Sequence, residues 1–177
     1  MPSVTFLEGD SVTLCTVEEA DLEFLQRTIN DPRVRRWVGN RAPINGPAER
    51  EWFESIGDSE VHLLIRRDDD PVGVVGLRPA DGPDVTAELG IFLAPDYWGE
   101  GYGTEASRLV VDYAFAERRF HRVTARVFEG NDRSARIWET LGFRHEATHR
   151  EAEYLGGEFV DVRRYAVLEG EWEGTRE

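Results

Sequence analysis

The segment Ala94-Pro95-Asp96-Tyr97-Trp98-Gly99-Glu100-Gly101-Tyr102-Gly103-Thr104-Glu105-Ala106 decides how this chain is interpreted. It follows the apolar run 89–93, which predicts a strand, and it precedes a long helical pattern. Three glycines alternate at the point where strand becomes helix. Glycine lets a backbone approach a ligand closely, and the N-terminus of a helix favours anions. The segment therefore predicts a phosphate site made from backbone N–H groups.

Composition predicts one globular domain over residues 1–177, because 40% of the residues are hydrophobic and 32% are charged. The sequence contains no run that is long and apolar enough to span a bilayer, and no signal-peptide pattern follows Met1. Cys15 is the only cysteine, so an intrachain disulfide is excluded and a structural metal site is not indicated. We therefore expect a cytoplasmic protein that neither enters a membrane nor carries a metal.

The charge balance is strongly acidic, with 35 Asp and Glu residues against 21 basic residues and a net charge of −14. Every basic residue is arginine. An acidic surface without lysine is typical of proteins adapted to molar salt, where the Debye length is about 3 Å; an ordinary acidic protein from a GC-rich genome is the alternative. The net charge argues against duplex nucleic acid as a partner and mildly favours cationic substrates such as amines.

Hydrophobic periodicity places the strands and helices in a mixed order. Strands are predicted over 4–7, 12–16, 61–66, 72–77, 85–93, 122–128, 143–154 and 159–168. Helices are predicted over 16–30, 31–36, from 45 onward, over 103–118 and over 131–141, and turns at 68–71, 81–84 and 155–158. This order predicts an α/β (α+β) domain in which helices flank a mixed, mostly antiparallel, twisted sheet of about seven strands.

Four segments in order resemble the GNAT N-acetyltransferase superfamily, and more narrowly its RimJ/RimL-like branch of ribosomal-protein N-terminal acetyltransferases. They are residues 30–37, 98–106, 131–143 and 157–165. The glycine segment alone is a weaker indication than all four at compatible spacings. The resemblance implies an enzyme that moves an acetyl group from acetyl-CoA to a primary amine by direct attack in a ternary complex.

The resemblance assigns acetyl-CoA to the glycine segment and to the strand before it. Main-chain groups near Ile91 and Leu93 would hold the pantetheine arm, an N–H near Ile91 would polarise the thioester carbonyl, and Gly90 would form a bulge that splays the strand. The other implied cofactor residues are Trp98, Gly99, Gly101, Tyr102, Gly103, Thr104, Asn131 and Ser134. The alternatives are a tight turn with glycines for packing, an aromatic anchor at Trp98, core packing at Ile91 and Leu93, and an N-cap at Asn131.

The resemblance also implies catalytic roles. Glu88 is the candidate general base, with an exposed strand carboxylate as the alternative. Ser134 is the candidate proton donor to the leaving thiolate, because Trp138 stands where many members of the superfamily have a tyrosine acid. A site with so few acid–base groups suits an α-amine, whose pKa is about 7.7–8.0, better than a lysine amine at about 10.4.

A protein N-terminal α-amine is therefore the expected acceptor. A small amine (an antibiotic, a polyamine or an amino acid) and a non-catalytic acyl-CoA-binding module remain as alternatives. Trp37, Trp52 and Phe53 are candidates for the acceptor side, with core packing as the alternative, and Tyr165 on the last strand is a weaker candidate. The candidate contacts to the 3′-phosphate of coenzyme A are Arg108, Arg133 and Arg136. A homodimer through the early helices or the last hairpin is compatible with the sequence.

Overall fold

A computed structural model describes residues 2–80 and 85–174, and within those residues eight strands form one sheet. The strands are β1 (Thr5–Glu8), β2 (Thr13–Thr16), β3 (Val61–Arg67), β4 (Asp70–Pro79), β5 (Thr86–Leu93), β6 (Arg122–Phe128), β7 (Arg144–Leu155) and β8 (Glu158–Leu168). Their order is β1-β2-β3-β4-β5-β6-β8-β7, and only β5 and β6 pair in parallel. The prediction of a mixed, mostly antiparallel sheet is confirmed, with eight strands instead of about seven.

Five α-helices accompany the sheet in the same described ranges. They are α1 (Leu22–Asn30), α2 (Pro32–Val38), α3 (Gly46–Ser55), α4 (Tyr102–Ala116) and α5 (Asp132–Thr140). The helix predicted over 16–30 begins later, because a 3₁₀ turn over Glu19–Asp21 comes first and the side chain of Asp21 accepts from the N–H of Glu18 at 2.9 Å. The turn predicted at 81–84 lies outside the described residues. No helix in the described part of the chain is long and apolar enough to cross a bilayer.

The two faces of the sheet are covered by different helices. Successive side chains of a strand point to opposite faces. Leu89 of β5 packs with Val110 of α4 in the larger apolar cluster, whereas Phe92 of β5 packs with Leu25 of α1 and Trp52 of α3 in the smaller one. Odd-numbered residues of β5 therefore face α4 and α5, and even-numbered residues face α1 and α3.

The sheet opens between its two parallel strands. β5 pairs with β6 only as far as Glu88, which lies opposite Thr124. Beyond this point β5 continues alongside β4 to Leu93, and β6 continues alongside β8 to Phe128. The expectation of a bulge at Gly90 is wrong, because the β4–β5 register passes through this glycine without a shift. The strands diverge because β5 and β6 stay with different partners beyond Glu88. The result is a gap beside the second half of β5.

Candidate active site

A cleft of about 880 Å³ includes this gap. It extends from the loop before α4, past the second half of β5, to the underside of α1 and α3. Apart from the candidate contacts to the 3′-phosphate, the residues predicted to bind the cofactor or to take part in catalysis all line it: Glu88, Ile91, Leu93, Trp98, Gly99, Gly101, Tyr102, Gly103, Thr104, Asn131 and Ser134. The fold therefore brings together residues that are separated by up to 46 positions in the sequence, from Glu88 to Ser134.

The second half of β5 directs main-chain groups into the gap. The N–H of Ala94 donates to the carbonyl of Val72 on β4 at 2.9 Å, and the hydroxyl of Thr124 on β6 donates to the carbonyl of Ala87 at 3.3 Å. Because main-chain groups alternate in direction along a strand, the N–H groups of Ile91 and Leu93 point away from β4 and into the gap. This arrangement places two parallel donors where a thioester carbonyl and an amide-containing arm can be bound.

Two of the three loop glycines are required by the backbone conformation. Gly99 and Gly101 have φ angles of 81° and 84°, which other residues rarely adopt, and a Cβ at either position would meet nothing within 4 Å. Gly103 is favoured by close packing instead, because its Cβ would lie 3.0 Å from Cδ1 of Ile137 on α5. Gly101 is the N-cap of α4 and gives it no side-chain cap, so the first-turn N–H groups of the helix are offered to an anion beside the loop.

Trp98 anchors the loop on both sides. Its indole Nε1 donates to the carbonyl of Leu93 at 3.0 Å, and the guanidinium of Arg133 stacks on its ring, 3.5 Å from the ring centroid. Burial lowers the pKa of Arg133, and within the described residues no acidic partner offsets this effect. Of the three candidate arginines, Arg133 and Arg136 line the cleft and Arg108 does not. The cation best placed to meet a phosphate at this loop is therefore Arg133.

Asn131 and Ser134 begin α5 on the opposite wall. The side chain of Asn131 accepts from the N–H of Ser134 at 3.3 Å, as an N-cap does. The hydroxyl of Ser134 accepts from Nε1 of Trp138 at 3.2 Å, and Trp138 is only 1% exposed. Indole nitrogen is a donor only. The Ser134 hydroxyl therefore has its own proton left to donate toward the cleft.

Glu88 is surrounded by arginines. Its carboxylate contacts Arg78 at 2.6 Å, Arg164 at 3.2 Å and Arg126 at 3.8 Å, and its side chain is 13% exposed. The alternative of an exposed strand carboxylate is therefore wrong. Burial alone raises the pKa of Glu88, but the hydrogen bond from Arg78 and the charges of all three arginines outweigh burial, so the pKa is lowered. A carboxylate with a lowered pKa is a weak base, and its role as the general base stays a prediction.

Glu49 on α3 is a cleft residue that the sequence did not single out. It is 7% exposed, and within residues 2–80 and 85–174 its carboxylate has no hydrogen bond or ion pair. Burial raises its pKa. The only signal in the sequence is the spacing of Glu49 from Trp52 and Phe53, which puts the three on one helical face.

Two paired glycines lie beneath the cleft under α3, and the His62 ring covers one of them. His62 on β3 pairs with Gly76 on β4, which pairs with Gly90 on β5. The ring of His62 lies over Gly76, with Nδ1 2.9 Å from the position of an added Cβ, whereas a Cβ on Gly90 would meet nothing within 4 Å. The edge of the His62 ring meets the ring of Trp52 from α3, with 5.3 Å between centroids. The floor beside Ile91 is thus bare main chain.

Only some of the residues predicted for the acceptor side line the cleft. Trp37 and Trp52 line the cleft, whereas Phe53 does not. Tyr165 is 3% exposed and belongs to the larger core cluster, with its hydroxyl 3.3 Å from Glu139. Tyr165 therefore lies in the core and does not line the cleft. Across the described ranges no cluster of three His, Cys, Asp or Glu side chains could hold a metal ion.

Comparison with known proteins gives a consistent family match. The acetyltransferase (GNAT) domain family matches residues 11–144. The putative ribosomal N-acetyltransferase YdaF of Bacillus subtilis is 28% identical and aligns with 95% of this chain and 97% of its own length. The uncharacterized N-acetyltransferase YnaD of the same organism is 31% identical over 88% and 92%. The crystal structure of spermidine N-acetyltransferase from Vibrio cholerae in complex with CoA and spermine superposes with a TM-score of 0.85 at 21% identity, covering 91% of this chain and 97% of that one. The last likeness concerns the fold.

Proposed function

The chain belongs to the GNAT acetyltransferase family and is an acetyl-CoA-dependent N-acetyltransferase, and we propose that it acts on a primary amine by direct attack in a ternary complex. The observation that carries this proposal is the gap beside β5. It holds the N–H groups of Ile91 and Leu93 next to the uncapped N-terminus of α4. Acetyl-CoA supplies the activated acetyl group.

The loop and the strand hold the two ends of acetyl-CoA in this proposal. The N–H groups over 99–104 bind the pyrophosphate, and the dipole of α4 adds roughly half a positive charge there. Arg133, stacked on Trp98, contacts a phosphate of the nucleotide end. The main-chain groups of Ile91 and Leu93 hydrogen-bond the pantetheine arm, which lies beside β5 like an additional strand. These donors suit a chain that has no lysine.

Two groups act on the thioester. The N–H of Ile91 stabilises the negative charge that develops on the carbonyl oxygen, and the hydroxyl of Ser134 donates its proton toward the sulfur, directly or through water. A thiol has a pKa of about 8.5, so the thiolate leaves readily even with modest help. Most of the rate then comes from positioning the two substrates.

The amine loses its proton in a positive electrostatic field. Three arginines face Glu88, and even with Glu153 near Arg126 the positive charges are in excess. A positive field disfavours an ammonium and lowers its pKa. Glu88 receives the proton through water as a weak base. Because this field lowers the pKa of a bound amine, an amine of high pKa can also react here. The small number of basic groups in the site is therefore not, on its own, a reason to prefer an α-amine.

Two classes of acceptor follow from these features. A protein N-terminal α-amine is the expectation from the sequence, and one relative is named as a putative ribosomal N-acetyltransferase. A small cationic amine is the second candidate, and the observation that favours it is the unpartnered carboxylate of Glu49.

Calorimetry with acetyl-CoA, followed by thiol release over an amine panel, tests the proposal. We expect acetyl-CoA to bind and coenzyme A to be released only when an amine is present, in both low and molar salt. Absence of binding would overturn the proposal. Binding without thiol release for any amine would identify a non-catalytic acyl-CoA-binding module.

A further inference from the structure

We propose that Glu49 is the binding site for a second positive charge on the acceptor, so that the substrate is a small amine with another cationic group on a short flexible chain. An α,ω-diamine is the simplest such molecule. This inference rests on the proposed function in one respect, which is that the reacting amine lies beside Ile91.

The state of Glu49 indicates a cationic ligand. Its side chain lines the cleft and is more than nine-tenths buried, and no cation contacts it anywhere in the described part of the chain. A buried carboxylate without a partner is costly, and the first turn of α3 offsets only part of that cost through its dipole. An ammonium group from the substrate would supply the missing partner.

The position of Glu49 separates it from the reacting amine. Its helix neighbour Trp52 meets His62 of β3, and β3 lies two strands away from Gly90 on β5. Two strand spacings are about 10 Å. Glu49 precedes Trp52 by one helical turn on α3, so we assign its carboxylate to a second group of the same molecule and not to the amine beside Ile91.

The path between the two positions suits an apolar linker. Its floor consists of Gly90 and the His62 ring that covers Gly76, and its walls include Leu25, Ile29 and Phe92. A methylene linker needs no charged side chain along this path, and moving its methylene groups out of water is favourable.

The charges at the two ends of this path are opposite. The arginines around Glu88 leave positive charge in excess at one end, and Glu49 carries the negative charge at the other. A singly protonated diamine therefore binds in one orientation, with its neutral amine beside Ile91 and its ammonium on Glu49. A protein N-terminus carries no second cation at a fixed distance, so it does not exploit this arrangement.

The test compares putrescine (a four-carbon diamine) with butylamine (the same chain with one amine) on wild type and on Glu49→Gln. The control is Glu51→Gln, which removes a carboxylate from the exposed side of the same helix. We expect wild type to prefer putrescine in kcat/KM. Glu49→Gln should reduce the kcat/KM for putrescine by about tenfold or more, through KM. Butylamine turnover and acetyl-CoA affinity should change less than about twofold.

The possible outcomes separate the role of Glu49 from the proposed function. Equal losses for the two amines, or a wild type without preference for putrescine, would overturn the role of Glu49 while leaving acetyl transfer intact. Failure to bind acetyl-CoA would overturn the proposed function instead. Glu49→Asp keeps the charge and serves as a rescue variant if Glu49→Gln is poorly folded. Preference for putrescine retained in Glu49→Asp and lost in Glu49→Gln would support the site, and loss in both would contradict it.

Discussion

The two carboxylates of the cleft, Glu88 and Glu49, are both largely buried, yet they are in opposite states. Three arginines contact Glu88 and its pKa is lowered, whereas Glu49 has no partner within the described residues and burial raises its pKa. Burial does not decide what a carboxylate does; its partners do. Glu88 is already satisfied by the protein, and Glu49 is left for a ligand.

The same contrast extends to the two halves of the cleft. The half beside the loop works through main-chain donors, at Ile91, Leu93 and the first turn of α4. The half beneath α1 and α3 works through side-chain charges. Changes to the backbone should therefore impair the handling of acetyl-CoA, whereas changes to charge should alter the choice and protonation of the amine.

The largest effect is expected from Ile91→Pro, which removes the gap-facing N–H. This N–H makes no bond to β4, so the β4–β5 ladder keeps its hydrogen bonds. We expect kcat at saturating acetyl-CoA to fall by about 100-fold to 1,000-fold, as when an oxyanion donor is lost. Ile91→Val keeps the N–H and should stay close to wild type. A folded Ile91→Pro variant with nearly normal kcat would remove the main-chain N–H from the mechanism.

The next effect is expected at the loop, where Gly101 has a matched control. Gly101 and Gly142 have φ angles of 84° and 81°, and a Cβ at either meets nothing within 4 Å, but only Gly101 lines the cleft. Alanine at either position should cost about 1–2 kcal/mol of stability through backbone strain. Calorimetry should show acetyl-CoA affinity reduced by about tenfold in Gly101→Ala alone. Equal affinities in the two variants would show that the loop conformation does not bind the cofactor.

A smaller effect is expected from Glu88→Gln. This variant distinguishes proton acceptance by Glu88 from the electrostatic effect of the surrounding arginines. General-base catalysis contributes about 100-fold to 10,000-fold. Because Glu88 is a weak base and the positive field of the three arginines remains in the variant, Glu88→Gln should lower kcat at pH 7 by less than about tenfold. A loss of about 100-fold, larger at pH 6.5 than at pH 9, would show that Glu88 is a full general base and not a weak one.

Stability against pH gives the same residue a second test. Because the folded pKa of Glu88 is lowered, its ion pairs stabilise the protein above the unfolded value of about 4.5 and lose that contribution as pH falls through the folded pKa. Glu88→Gln should therefore be less stable than wild type at pH 7 and similar to it in strong acid. Thermal melts across this range measure the difference.

The smallest effect has the opposite sign and belongs to Glu49. Its folded pKa is raised, so the penalty for its buried charge is absent below the unfolded pKa and complete above the folded one. Glu49→Gln should melt about 2–4 °C above wild type at pH 7 and equal to it near pH 4. Adding putrescine should remove this difference in melting temperature at pH 7. A Glu49→Gln variant that melts below wild type would mean that the carboxylate already has a stabilising partner.

Features that depend on neighbours in sequence were predictable. The strand–glycine–helix segment and the N-cap at Asn131 follow from local backbone chemistry, and both are present in the fold. The start of α1 was misplaced because two capping patterns overlap in the sequence, and the structure uses Glu18 with Asp21 instead of Thr16 with Glu19.

Features that depend on distant residues were not predictable. The arginines around Glu88 come from three different strands, β4, β6 and β8, and only the register of the sheet brings them to one carboxylate. Glu49 looks like an ordinary acidic residue in the first turn of a helix until α3 is packed over the sheet. Its value as a site lies in the absence of a partner within the described chain, which no local pattern encodes.

The most direct measurement is thiol release by wild type at saturating acetyl-CoA with putrescine, butylamine and a peptide carrying a free α-amine. The cleft with Glu88 held by arginines and Glu49 left for a ligand predicts that putrescine has the highest kcat/KM, about tenfold above butylamine. A peptide that outpaces putrescine, or equal values for putrescine and butylamine, would contradict the assignment of a second cation site to Glu49.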